Sequence, residues 1–217
     1  MVAHMRALAG DRSSEAAQHV VKDLRRGLPP AALVALLESL RANPRSDLAG
    51  IALELFAHRR PAVRSHACQV LIAQGEPWAR GAILMALEDV DARVRGVAYD
   101  AIIETPRSDF QWVLYKLIQR NEDRAVDAFV LSSTQDVLPH LEKKGALPAS
   151  SLARIYGGLL RRTGFVNELH RLAMVSELAK IESPNSHNEL WIFANRELDP
   201  LEPGPQLLAR QFVGYVP

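Results

Sequence analysis

The chain is 217 residues long, 48% apolar, with a formal net charge of +1 and a single cysteine, Cys68. Balanced charge argues against a generic polyanion binder, whose affinity comes from excess Lys and Arg. One cysteine excludes an intramolecular disulfide and a cysteine-rich zinc site, and the length allows one domain, or two small ones, with a core that needs neither.

Ala and Leu occur about 30 times each, and Arg outnumbers Lys by 21 to 5. Ala and Leu are the best helix formers, and β-branched runs are scarce, so the chain should be nearly all helix. The N-terminal stretch has no apolar core of signal-peptide length. No window approaches the roughly 20 uncharged apolar residues that span a bilayer. The expected protein is soluble and cytoplasmic, without membrane insertion.

Gly and Pro divide the chain into short pieces. Gly27 stops a first helix, and Pro29-Pro30 starts the next with Pro in its first turn. Asn43-Pro44, Pro61, Gly75, Pro77, Pro106, Gly145 and Pro148 continue the punctuation. Ser108-Asp109-Phe110-Gln111 and Ser186-His187-Asn188-Glu189 have the pattern of capping boxes. Helices are predicted at about 14–26, 30–42, 46–58, 61–74, 77–89, 92–105, 109–120, 122–133, 149–162, 165–181 and 187–197. Their short connections force antiparallel neighbours, so the chain reads as a series of helical hairpins.

A 31-residue period runs through these hairpins. Pro61-Ala62-Val63-Arg64-Ser65-His66-Ala67 returns as Ala92-Arg93-Val94-Arg95-Gly96-Val97-Ala98. Pro30 precedes by one period, and Glu122-Asp123-Arg124-Ala125-Val126 follows as a weaker copy. Val63, Ala67, Val70 and Leu71 form one helical stripe, as do Val94, Ala98, Ala101 and Ile102. One hairpin cannot bury such a stripe, whereas stacked hairpins can. The stretch Leu87 to Ile102, and less closely His58 to Leu71, resembles the bacterial HEAT-like repeat family of the phycobilisome-lyase type. The resemblance is clearest over about residues 30–133. It implies a right-handed α-α superhelix, here a short HEAT-like solenoid of about five hairpins. It also implies that Arg64 and Arg95 are ladder residues pairing with acidic or carbonyl groups of the next repeat.

Beyond Ser133 the signature lapses, although the apolar helical faces continue. Residues 1–181 read as the solenoid and 182–217 as an atypical C-terminal cap, the alternatives for the tail being a partner-binding or self-inhibiting segment, or disorder. Leu190-Trp191-Ile192-Phe193 is a compact apolar cluster, and Asp199 to Pro205 reads as irregular. Phe212, Tyr215 and Val216 are costly to leave in water. Charge is uneven: residues 1–64 hold 10 basic and 6 acidic groups, and 182–217 hold 2 and 5.

No metalloprotease, P-loop, dinucleotide or nucleophile-elbow motif occurs. His58 and His66 sit on different helices and make no ligand pair, and Cys68 reads as a small buried hydrophobe. No cofactor or metal is expected. Trp78 and Trp112 read as core or inter-repeat packing, and Trp191 as the aromatic to test for binding. Basic clusters at 22–26, 58–60 and 161–162 fall at helix C-termini, where cations offset the dipole. The groove face of the second helices is expected to present Ser65, Gln69, Tyr99, Asp100, Ile103 and Asp127. The reading is a non-enzymatic protein-binding module, an adaptor, regulator or immunity-type binder, using that face or the tail. Nucleic-acid binding or DNA repair by a HEAT-like domain is the alternative, and a chromophore-lyase-like role the second.

Overall fold

Gly27 and Gly75 sit at φ 81° and 76°, a left-handed geometry in which a Cβ is strained, and each follows the end of a helix. The chain turns there and starts again. The computed structural model describes the chain apart from Arg12, Arg26, Lys144, Ala146, Thr163, residues 197–200, Glu202 and residues 215–217, and apart from the side chains of Arg6, Ala9, Ser14, Ala17 and Arg25. Among the described residues there are helices and turns and no strand. The fold is all-helical, built from stacked helix pairs. It divides into two compact units, Met1–Glu104 and Thr105–Pro217.

The first unit contains α1 (Val2–Gly10), α2 (Ser14–Arg25), α3 (Pro30–Ala42), α4 (Ala49–Phe56), α5 (Pro61–Ala73), α6 (Trp78–Leu87) and α7 (Ala92–Glu104). Helices α1, α3, α5 and α7 form a row in which each packs on the next. Helix α2 packs on α1, α4 on α5, and α6 on both α5 and α7. The predicted stripe is the reason: Val63, Ala67, Val70 and Leu71 are all buried, as are Val94, Ala98 and Ile102. Ala101 departs from the expectation. It is half-buried, because it lies at the margin of α7 toward an open cleft.

The second unit contains α8 (Gln111–Gln119), α9 (Ala125–Ser132), α10 (Leu138–Leu141), α11 (Ala149–Leu160), α12 (Glu168–Lys180), α13 (Pro184–Ala194) and α14 (Gly204–Phe212). Its row is α9, α11 and α13, with α8 on α9, α12 on α11 and α13, and α14 on α12 and α13. Helices α1, α10 and α14 were not predicted. Helix α14 corrects the irregular reading of Asp199 to Pro205. Gly204 and Pro205 form its first turn, where a missing N–H costs nothing; Asp199, Pro200 and Glu202 lie outside the described residues.

Both predicted capping boxes are corrected. Residues Ser108–Phe110 form a 3₁₀ turn before α8, and Gln111 reaches away from it. Its Nε2 donates to Asp136 Oδ2 at 3.0 Å, and its Oε1 accepts from the Thr134 N–H and hydroxyl. Helix α13 starts three residues earlier than expected, capped by Ser183, whose hydroxyl accepts the Asn185 N–H. Glu189, expected to reach back, is buried and pairs with Arg161. In each case a polar side chain that could cap its own helix instead ties two hairpins together.

Such ties recur along the chain. Arg64 Nε and Nη2 donate to Asp89 Oδ2 and Oδ1 at 2.7 and 2.8 Å, while its Nη1 donates to the His58 carbonyl at 2.9 Å. One period on, Arg95 Nη1 donates to the Asp89 and Val90 carbonyls at 2.8 and 3.0 Å. The two arginines thus close equivalent turns. Arg45-Ser46-Asp47-Leu48 and Arg107-Ser108-Asp109-Phe110 lie 62 residues apart, two periods, and both form a 3₁₀ turn with an Arg–Asp pair and a buried apolar residue. Helix α11 is squeezed between α9 and α13 by two glycines. A Cβ on Gly158 would stand 2.8 Å from Val130 Cγ1, and one on Gly157 would stand 2.6 Å from Cδ of Glu189.

Two outcomes test this packing. Gly→Ala inside a helix ordinarily stabilises by about 0.5–1 kcal/mol. Gly158→Ala should instead destabilise by about 1–3 kcal/mol in urea unfolding, because Val130 is packed and cannot withdraw; an increase in stability would show that the approach is slack. The Arg64 hydrogen bonds hold the Asp89 carboxyl below its usual range. The stabilisation is therefore complete above about pH 4 and is lost as pH falls through the lower folded value. Asp89→Asn should cost about 2 kcal/mol at pH 7 and flatten the acid limb of stability against pH; an unchanged limb would remove Asp89 from the account.

Candidate functional site

The predicted groove residues separate on the structure. Ser65 and Gln69 are half-buried on α5, and Asp100 is exposed on α7. Ile103 is 40% exposed. Tyr99 is only 2% exposed, which corrects its placement on the wet face. The repeat held the signal: Tyr99 occupies the register of Cys68, one period earlier, and Cys68 is fully buried. Asp127, on α9 of the second unit, is exposed and ion-paired with Arg154 Nη2 at 3.2 Å.

Gln69 and Asp100 meet in one place. An open cleft of about 390 Å³ is lined by Arg41 of α3, Gln69, Ile72 and Ala73 of α5, and Val97, Asp100, Ala101 and Glu104 of α7. Its size is that of ligand pockets. Arg41 Nη1 donates to Gln69 Oε1 at 3.4 Å at the exposed margin of the cleft. Ile72, Ala73, Val97 and Ala101 supply an apolar lining, and Asp100 and Glu104 stand one helical turn apart on α7. The small side chains at 73 and 101 keep the cleft open, and the close packing of α5 on α3 and α7 gives it walls. Arg41, Ile72, Val97 and Glu104 were not anticipated. They come from three helices, and only Ile72 and Val97 have apolar character that periodicity would have placed near a core.

The other candidates resolve differently. Trp78 and Trp112 were expected inside, but both are more than a third exposed; Trp112 sits edge-on to His140, with ring centroids 4.7 Å apart. Trp191 is 53% exposed on α13. Helical periodicity splits the apolar cluster around it, burying Leu190 and Phe193 and exposing Trp191 and Ile192. Phe212 is exposed on α14, and Tyr215 and Val216 lie outside the described residues.

The basic cluster at 161–162 is used internally. Arg161 pairs with Glu189, and Arg162 Nη1 donates to the Val130 and Ser133 carbonyls at the end of α9. Arg162 therefore offsets the dipole of a neighbouring helix and not that of its own. Arg59 and Arg60 are exposed; the side chain of Arg25 and all of Arg26 lie outside the described residues. Among the described residues no group of three or more His, Cys, Asp or Glu could hold a metal ion, and no helix is long and apolar enough to cross a membrane.

Burial pushes the Cys68 thiol up to about 12. Its thiolate is therefore scarce at neutral pH, and thiolate is the nucleophile. Cys68 should not react with Ellman's reagent at pH 8 in the native protein and should react fully in urea; rapid native labelling would contradict its burial.

Compared with protein-family models, curated proteins and solved structures, the chain matches none.

Proposed function

We propose that the protein is a non-enzymatic binding module that recognises another protein through the α3–α5–α7 face of its first unit. The cleft at 41–104 carries this reading, because it combines an apolar lining with polar groups at its margin, the composition of a binding surface. Stacked helix pairs of the HEAT-like kind leave one row of helices free to bind, which is how such repeats work. The roles of adaptor, regulator and immunity-type binder all fit this reading. Nucleic-acid binding loses support from the way Arg45, Arg64, Arg95, Arg161 and Arg162 are spent on internal contacts.

A photo-crosslinking amino acid at position 101, on the cleft floor, tests the proposal in the native host. A discrete protein adduct is expected there, and none from the same group at exposed Glu88. Equal labelling at both positions would sink it. A salt-sensitive gel shift on duplex DNA with no protein adduct would favour the nucleic-acid reading instead.

A further inference from the structure

Building on that binding-module reading, we infer that the α3–α5–α7 cleft seats an arginine side chain of the protein partner. Three features of the cleft converge on a cation. The first is helix direction. Arg41, Ala73 and Glu104 lie at or beside the C-terminal residues of α3, α5 and α7, so three helix C-termini gather at the cleft. Each carries a partial negative charge.

The second feature is the pair Asp100 and Glu104. Both are exposed, and neither has an ion-pair or hydrogen-bond partner among the described residues. They sit at positions i and i+4 of one helix, where like charges repel. They also sit at the negative end of α7, where a cation would be favourable. The free protein thus holds an arrangement that disfavours itself twice, and a cation relieves both terms.

The third feature is the lining. Ile72, Ala73, Val97 and Ala101 present apolar surface beside the carboxylates. A long cationic side chain buries its methylene stem on such a surface while its head reaches the charges. The cation already present, Arg41, is tied to Gln69 at 3.4 Å on the opposite wall. The guanidinium has five donors in a planar fork, suited to two carboxylates at once, whereas an ammonium is a compact point charge. Arginine is also among the residues that dominate interface energies.

The test is a ¹H–¹⁵N NMR titration of the full chain with the blocked pentapeptide Ac-Ala-Leu-Arg-Leu-Ala-NH₂ and with versions carrying glutamate or norleucine in place of arginine. The arginine peptide should give saturable shifts at the amides of Ile72, Val97, Asp100, Ala101 and Glu104. The glutamate peptide should give none. Affinity for the arginine peptide should fall at least tenfold in the D100N/E104Q variant. That variant should melt at or above the wild-type temperature, since its carboxylates hold nothing together. Undiminished binding by D100N/E104Q, or equal binding of the glutamate peptide, would overturn the inference. The norleucine peptide separates the two levels. If it maps to the cleft as well as the arginine peptide does, the docking face survives and the arginine inference falls. If neither peptide maps there, both fall.

Discussion

The guanidinium of Arg64 grips two hairpins at once. Two of its nitrogens hold the Asp89 carboxylate, and the third closes the turn at His58 that precedes its own helix. That grip fixes the register between successive pairs. Register matters because an apolar stripe such as Val63, Ala67, Val70 and Leu71 is buried only when the neighbouring helix lies alongside it. The small side chain of Ala67 lets the neighbour come close, and its counterpart Ala98 does the same one period later. The Coulomb term alone would not justify a half-buried ion pair. With both partners in place, the pair ties the turn at Asp89 to α5, and losing either one would leave the other charge half-buried without its counterpart.

The second unit solves the same geometric problem with other chemistry. Where the period would place an arginine, it has Val126. The turn before α9 closes instead through Asn121 at φ 66°, and Ser151 donates to Asp123 at 2.9 Å from the next hairpin. Gly157 and Gly158 replace alanine as the residues that permit close approach. Arg161 and Arg162 then reach in opposite directions along the stack, one to Glu189 of α13 and the other to the carbonyl end of α9. These ties span 25 to 35 residues, about one period each, in both units. The hairpin spacing persists after its sequence signature has lapsed.

The same demand for register explains where uncommitted polar groups remain. Polar groups that hold hairpins together are engaged in internal contacts. The α3–α5–α7 cleft differs, because Asp100 and Glu104 have no structural partner among the described residues and lie where their charge is unfavourable. Groups spent on folding and groups left uncommitted are thus distinguishable by their hydrogen bonds.

The sequence by itself determined eleven of the fourteen described helices, most of their breaks and the period, because Gly, Pro and the apolar stripe act locally. All eleven predicted helices are present, and the buried stripe of α5 is the predicted one. Gln69 and Asp100 were legible as face residues from the same periodicity. Tyr99 was legible too, through its register with Cys68, yet its aromatic character suggested an interface. Tertiary structure alone decided which polar side chains cap and which cross. Gln111 and Glu189 each fit a local pattern, but a partner one period away offered a better-placed group. It also decided that the last turns of three helices, far apart in sequence, share one cleft. Periodicity assigns a residue to a face; only the packing of three helices sets which faces adjoin and which charges are left without a counterpart.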